Sequence, residues 1–171
     1  MHNQDKIFSE AVKLGNLLGT YRGSKQIGMI FGTFDIVHIG HIKFINWAKD
    51  HCDILIVALG NDLLVKANKG PKRPLFNQDV RAEVISALKD VDFVLKMDNP
   101  GFANDTHEAK NNIAQIIDSV KPDILIVGRT DNSFEAKKEY STTHKTEFLE
   151  YANTRPISST EIIAKLESLE I

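Results

Sequence analysis

Residues 27–41 read IGMIFGTFDIVHIGH, and this stretch decides the fold. The apolar run Ile27–Phe31 predicts a buried β-strand, and the glycine and threonine behind it predict a turn into a helix. His38 and His41 are three residues apart at the start of that helix, so they share one face. Gly40 between them lets a ligand approach the backbone. Because a helix N-terminus attracts anions, the segment predicts a phosphate site to which two imidazoles donate hydrogen bonds.

Four further apolar runs follow this strand and alternate with helical patterns. They lie at residues 53–59, 91–96, 123–128 and 147–151. Continuous apolar runs are typical of parallel strands covered on both faces. The alternation therefore predicts an α/β fold, a Rossmann-like doubly wound parallel five-stranded sheet with helices on both faces. Ligands bind such sheets at the carboxyl ends of the strands.

Two sets of apolar residues at helical spacing are predicted to face the core. Their members are Ala109, Ile113, Ile116, Ile117 and Val120 in one set and Val80, Val84 and Leu88 in the other. The segments Gly60–Phe76 and Arg129–Lys145 are predicted to be long loops. Long loops inside a compact domain are usually functional or mobile.

The length and composition exclude several classes of protein. The 171 residues have room for one ordinary domain, and we expect a helical extension over residues 1–26 and a single domain over 27–171. The 21 basic and 23 acidic residues give a net charge of −2, which argues against general binding of nucleic acid or membranes. The single cysteine, Cys52, excludes an internal disulfide. Without a signal-peptide pattern or an apolar run near the ~18 residues of a membrane span, a cytoplasmic protein is expected.

A local cluster of cations stands out in this weakly acidic chain. Residues 60–73 read GNDLLVKANKGPKR, with positive charges at Lys66, Lys69, Lys72 and Arg73. A solvated charged loop and a phosphate-binding loop are both open interpretations.

Arg81 falls near the first turn of a predicted helix, where a cation opposes the helix dipole at a cost of about 0.3–1 kcal/mol. Its position beside Val80 places it at the edge of the expected buried face. An anionic ligand would compensate for this placement, so replacing Arg81 is expected to leave the free protein as stable or slightly more stable. An ordinary exposed arginine is the alternative.

Residues 155–161 read RPISSTE and allow two compatible interpretations. Ser158 and Glu161 have the spacing of a capping box at a helix start. Ser159 and Thr160 add hydroxyls that, with the preceding arginine and the N–H groups of the helix start, predict a second phosphate cradle.

The segment GTFDIVHIGH resembles the HxGH signature of the cytidylyltransferase-like nucleotidyltransferases, and the resemblance runs from about Gly28 to the C-terminus. Its GTFD start is similar to glycerol-3-phosphate cytidylyltransferases. Features downstream are similar to heptose-phosphate adenylyltransferases. They are Lys69-Gly70, Arg73-Pro74, Gln78, Arg81, Ala87-Leu88 and Val91-Asp92. The resemblance implies a Rossmann-like sheet, a nucleoside triphosphate, Mg²⁺ and a phosphomonoester acceptor.

The resemblance also implies which residues form the site. The implied catalytic residues are His38, His41 and Lys69. The implied nucleotide-binding residues are Gly32, Thr33, Phe34, Gly40, Asp62, Lys66, Arg81, Gly128, Arg155, Ser158, Ser159 and Thr160. Mg²⁺ is expected to arrive with the triphosphate, without a dedicated protein site, and Asp35 is a weak candidate ligand. The implied partners are ATP or CTP, a small phosphorylated acceptor and, as in the resembling families, a second copy of the chain.

We expect the transfer of an NMP group to a sugar or polyol phosphate with release of pyrophosphate, and we place adenylyl ahead of cytidylyl transfer. A cytidylyltransferase acting on glycerol 3-phosphate or a related acceptor stays open. Residues 128–131 read GRTD where the nearest families carry G-G-D or G-D-D, which leaves the identity of the base open. A non-catalytic nucleotide-binding regulatory module is the alternative of another class.

Overall fold

The computed structural model describes residues 3–97, 107–129, 131, 133–152 and 157–169. Its single sheet contains the parallel strands β1 Ile7–Phe8, β2 Ile27–Gly32, β3 Ile54–Leu59, β4 Phe93–Lys96, β5 Ile124–Gly128 and β6 Glu147–Tyr151. The strand order is β1-β4-β3-β2-β5-β6. From β2 the chain proceeds to β3 and β4 on one side and later to β5 and β6 on the other. The boundary between β2 and β5 is therefore the switch point at which α/β sheets bind ligands.

Helices cover both faces of this sheet. In the described residues they are α1 Ala11–Leu18, α2 Ile39–Lys49, α3 Asp62–Lys69, α4 Gln78–Ser86, α5 His107–Val120, α6 Phe134–His144 and α7 Ser159–Glu167. Helices α1, α5 and α6 pack on one face, and α2 and α4 pack on the other. The predicted doubly wound α/β fold is confirmed.

The central strand shows why each face is apolar. Met29 and Phe31 of β2 belong to the hydrophobic cluster under α1 and α5, and Ile30 belongs to the cluster under α2. Alternate side chains of a strand point to opposite faces, so a strand buried on both sides must be apolar throughout. On α5, Ile113 and Ile117 are buried as predicted.

Within the described residues the sheet has six strands, where five were expected. The sixth, β1, pairs with β4, Ile7 lying opposite Val94 and Phe8 opposite Leu95. Two residues are too few to show a strand pattern in the sequence. The segment expected to be only a helical extension, residues 1–26, thus supplies a strand to the same sheet.

Helix α1 lies directly against α5. A Cβ on Gly15 would clash with the carbonyl oxygen of Ser119, so only glycine allows the two backbones to approach this closely. Leu14 and Leu18 of α1 are fully buried in the core.

Both predicted long loops contain a helix, which corrects the expectation for Gly60–Phe76 and Arg129–Lys145. Helix α3 begins behind Asn61, whose Oδ1 accepts a hydrogen bond from the N–H of Leu64 at 2.8 Å. The buried residues of α6 are Lys137 and Ser141, four positions apart. Because the residues of its inner face are polar, the pattern of α6 resembles that of a loop.

The inner face of α4 was also predicted wrongly. Val80 and Val84 are each 42% exposed, whereas Arg81, Ala82 and Ile85 are buried. The helix is rotated from the expected position because hydrogen bonds hold Arg81 inside, as described below.

No helix within the described ranges combines the length and the apolar composition that a membrane span requires.

Candidate active site

The two histidines of the HxGH segment stack on each other at the start of α2. The ring centroids of His38 and His41 are 3.8 Å apart, with 24° between the ring planes. The ring of Phe34 packs against His41 at a centroid distance of 5.1 Å. Phe34 is buried and has a φ of 48°, so the chain turns sharply between β2 and α2. The spacing thus places both imidazoles side by side, as predicted.

His38 also caps α2. Its Nδ1 accepts a hydrogen bond from the N–H of Gly40 at 3.1 Å. A neutral imidazole that accepts at Nδ1 carries its proton on Nε2. His38 is therefore held in the tautomer that donates from Nε2, which suits a phosphate oxygen.

Gly40 is required by close contacts within the protein. A Cβ at this position would lie 2.9 Å from Cε1 of His38 and 3.2 Å from the carbonyl oxygen of Ile157. The sequence had suggested that the glycine leaves room for a ligand. The structure shows that it brings the start of α2 against the segment that leads into α7.

The N-terminus of α7 adjoins the histidines and carries the predicted capping box. Ser158 Oγ accepts from the N–H of Glu161 at 3.2 Å, and Glu161 Oε2 accepts from the N–H of Ser158 at 2.6 Å. The hydroxyl and the backbone N–H of Ser158 lower the pKa of Glu161. Ser159 is buried, with Oγ 3.4 Å from the carbonyl oxygen of Ile36, whereas Thr160 is exposed.

Arg155, which the sequence analysis also assigned to this cradle, lies outside the described residues.

Arg81 is fully buried, which corrects the expectation of a cation at the edge of the core. Nη1 donates to the carbonyl oxygen of Thr33 at 2.6 Å, Nε donates to that of Phe76 at 2.9 Å, and Nη2 donates to that of Gly60 at 2.8 Å. Nη2 also forms an ion pair with Asp62 Oδ1 at 2.6 Å.

A single guanidinium therefore joins the segments that follow β2 and β3 and the turn before α4. Both Arg81 and Asp62 were expected to contact nucleotide. Their described hydrogen bonds go to each other and to backbone carbonyls, which organises the site, and a contact of either side chain with nucleotide stays a prediction.

A second ion pair lies beside the first, and both of its side chains are buried. Arg73 Nε donates to Asp35 Oδ2 at 2.7 Å, and Asp35 also accepts from the N–H groups of Leu75 and Phe76. Burial acts to raise the pKa of Asp35, but the hydrogen bonds from Phe76, Leu75 and Arg73 outweigh it and hold the pKa below its ordinary value. The acid of the GTFD segment thus holds the turn before α4.

The hydrogen bonds that Asp35 accepts also affect whether its carboxylate could bind Mg²⁺. A carboxylate occupied by a guanidinium and two N–H groups is a poor ligand for a hard cation. Within the described part of the chain, no group of three or more His, Cys, Asp or Glu residues is arranged to hold a metal.

Lys66 and Lys69 lie on α3, not in a loop. Both are exposed and stand three residues apart in the last turn of the helix, so they point to the same side. Their contact with a triphosphate stays a prediction.

Gly32 and Gly128 end the neighbouring strands β2 and β5, so both lie at the switch point. A Cβ on Gly32 would approach the ring of Phe34 to 2.5 Å, and glycine therefore lets that ring fold back over the strand end. The predicted positions at this edge are brought together by the sheet itself.

Sequence reasoning missed one charged pair at this edge. Lys137 of α6 is 2% exposed, and its Nζ forms an ion pair with Asp131 Oδ1 at 2.8 Å. The only available signal was an acid six residues before a lysine, on the segment that follows a buried strand.

A doubly wound parallel sheet, with an HxGH helix start behind its central strand, defines an α/β protein of the nucleotidyltransferase-like class. The cytidylyltransferase-like family matches residues 29–165, and the chain belongs to this family.

Curated relatives include the bifunctional protein HldE of two bacteria. The Helicobacter hepaticus protein is 35% identical over 141 residues, which cover 81% of this chain and 27% of that protein. The Hyphomonas neptunium protein is 43% identical over 103 residues, covering 60% and 19% respectively. The chain thus spans only a minor part of the length of these relatives.

Solved structures share the fold. A lipopolysaccharide core biosynthesis protein from Thermoplasma volcanium is 26% identical, with a TM-score of 0.60, and the match covers 77% of this chain and 99% of that one. A pantoate-beta-alanine ligase from Francisella tularensis has a TM-score of 0.64 at 17% identity, covering 94% and 76%. The second similarity concerns the fold alone.

Proposed function

We propose that this protein transfers an NMP group from a nucleoside triphosphate to a phosphomonoester and releases pyrophosphate. The observation that carries the proposal is the stacked pair His38 and His41 at the N-terminus of α2, which meets the start of α7 through Gly40 and Ile157. Two helix N-termini and two imidazoles converge there, and such groups stabilise negative charge.

The reaction follows from this arrangement of donors. An oxygen of the acceptor phosphate attacks the α-phosphorus in line and forms the new P–O bond. The bond from the α-phosphorus to the bridging oxygen breaks, and its electron pair leaves with pyrophosphate. Because the attacking phosphate is already anionic, no general base is required. The protein aligns the reactants and stabilises the charge on the pentavalent centre.

Some residues of the site would contact the substrate, and others hold these contact residues in place. The Nε2–H of His38 and the ring of His41 would donate to oxygens of the triphosphate, and Lys69 or Lys66 would neutralise it. The segment 158–160 would bind the β- and γ-phosphates. Mg²⁺ would enter as part of the Mg-NTP substrate.

We place ATP ahead of CTP and a sugar or polyol phosphate as the acceptor. The resemblance to heptose-phosphate adenylyltransferases downstream of Lys69 supports ATP, and the GTFD start supports CTP with glycerol 3-phosphate as the second candidate. A homodimer is also proposed from the resemblance, and a cytoplasmic location stays a proposal as well.

The test is pyrophosphate release from each of the four NTPs with a panel of sugar phosphates and polyol phosphates, glycerol 3-phosphate included. One NTP should support turnover with at least one acceptor, and none should do so with the dephosphorylated acceptor. Tight binding of an NTP without turnover across the panel would instead support a regulatory module.

Substitution of His38 separates catalysis from capping. His38→Asn keeps an acceptor at the N-cap, where Asn is among the preferred residues, but removes the imidazole. We expect kcat to fall by about 10²–10³-fold, the scale for a lost transition-state donor, with the helix intact by circular dichroism. His41→Ala should show a similar loss. Near-normal kcat in both variants would refute the assignment of the histidines.

A further inference from the structure

Lys137 is a buried cation that the proposed reaction does not use. Its side chain is 2% exposed, and its Nζ lies 2.8 Å from Asp131 Oδ1 and 4.3 Å from the ring centroid of Phe31. Phe31 is near the carboxyl end of β2, and Asp131 follows β5. The ammonium group is therefore buried beside the switch point, on the face of the sheet opposite α2 and its histidines.

A lysine in this position has an energetic cost that packing alone does not explain. Lysine is almost never fully buried unless it is paired. Burial lowers the pKa of Lys137, and the charge of Asp131 acts against that shift. Replacing a buried ion pair with apolar residues of similar volume is often neutral or stabilising, so a methionine would cover Phe31 equally well. What a methionine lacks is the hydrogen bond to Asp131.

Asp131 is the centre of the connection between β5 and α6, residues 128–134, in which residues 130 and 132 lie outside the described set. Its Oδ1 accepts from the N–H of Ser133 at 2.7 Å, and its own N–H donates to the carbonyl oxygen of Gly128 at 2.9 Å. The N–H of Phe134 donates to the carbonyl oxygen of Asp131 at 3.1 Å. Lys137 fastens this network to α6, one turn further along the chain.

We propose that Lys137 is a positioning residue for nucleotide binding, which holds Asp131, Ser133 and the end of β5 in the conformation that accepts the nucleoside triphosphate. The inference rests on the proposed function. It is supported by the place of the connection, since ligands of doubly wound sheets bind at the carboxyl ends of the strands flanking the switch point. His41 packs on Phe34, which belongs to the core cluster on one face of the sheet, and Lys137 packs on Phe31, which belongs to the cluster on the other face.

The first variant is Lys137→Met, which keeps the length and apolar stem of the side chain but removes the charge. Lys138→Met is its matched control, because Lys138 is the next residue of the same helix and is exposed. Dissociation constants for Mg-ATP and Mg-CTP are measured by calorimetry, and KM is measured separately for nucleotide and acceptor. For Lys137→Met we expect nucleotide Kd and KM to rise at least tenfold and acceptor KM to change less than twofold. The control should match the wild type.

A second variant separates positioning from simple loss of stability. Lys137→Met leaves Asp131 without its cation, which itself destabilises the fold. The double variant Lys137→Met/Asp131→Asn removes both charges and keeps an acceptor for the N–H of Ser133. Its urea midpoint should return toward that of the wild type, while its nucleotide Kd stays raised.

The outcomes are distinguishable. If the double variant recovers nucleotide affinity together with stability, or if Lys137→Met binds nucleotide as the wild type does, the positioning role is refuted and the proposed function stands. If the wild type binds none of the four nucleotides, the proposed function fails and this inference fails with it.

Discussion

Replacing Arg81 tests whether this buried arginine holds the loops of the candidate site in place. In Arg81→Met the carbonyl oxygens of Thr33, Phe76 and Gly60 would lose donors that lie 2.6–2.9 Å away. A buried acceptor without a partner costs about 1–3 kcal/mol. Asp62 is 42% exposed, so water can solvate its freed carboxylate and the ion pair adds little. Three such carbonyls together could cost about 3–9 kcal/mol, and breaking a buried charged pair typically costs about 3–5 kcal/mol, so we expect a loss of about 3–5 kcal/mol.

The loss should be measured by urea and thermal unfolding of the ligand-free protein. For a chain of this size, ~1 kcal/mol corresponds to about 2–4 °C, so the melting temperature should fall by about 6–20 °C. Arg129→Met is the matched control, because the Arg129 side chain is 75% exposed and pairs with Glu150 at the surface. That control should lie within about 0.5 kcal/mol of the wild type. An Arg81→Met protein as stable as the control would refute the account and restore the expectation from sequence.

Three further changes test other parts of the structure. Because hydrogen bonds hold the pKa of Asp35 below its ordinary value of 3.8, the stability that its carboxylate contributes is present above about pH 4 and is lost as the pH falls through the lowered pKa. Asp35→Asn should therefore flatten the decline of the urea midpoint between pH 5 and pH 2.5. A decline parallel to that of the wild type would contradict this. Burial raises the pKa of the Cys52 thiol to about 11, so alkylation by iodoacetamide at pH 8 should be slow in the folded protein and fast in urea. Equal alkylation rates in the two states would show that the folded protein has an accessible thiolate. Gly40→Ala places a methyl group 2.9 Å from the ring of His38, so we expect kcat to fall about 10²-fold and the free energy of unfolding to fall by about 1–3 kcal/mol. An unchanged kcat would show that the start of α2 accommodates the methyl group without loss of function.

The ion pairs of the buried arginines Arg73 and Arg81 have one role in common. Asp35 with Arg73 and Asp62 with Arg81 both connect the loops that leave β2 and β3 to the turn before α4. Loops that carry binding residues need such fixation, because catalytic geometry tolerates displacements of well under an ångström. These charged residues hold the loops of the site through their described ion pairs, and a contact of Asp62 or Arg81 with substrate stays a prediction.

The sequence by itself determined the features that depend on local patterns. Strands buried on both faces must be apolar throughout, so the five longer strands can be recognised in the sequence as apolar runs. The HxGH helix start and the Ser158–Glu161 capping box involve residues two or three positions apart, and geometry at that range follows from helix parameters alone. These signals sufficed for the fold class and for the stacked histidines.

Only the tertiary structure decided which charges are buried and what they contact. Asp35 and Arg73 are 38 residues apart in sequence, and Arg81 and Thr33 are 48 apart. Solvation of a side chain depends on what packs around it, and for Arg81 and Lys137 the surroundings come from distant elements. A charged residue is buried only where the folded chain supplies its partners. The helical periodicity of the sequence therefore cannot show that Arg81 is buried on α4 or that Lys137 is buried on α6.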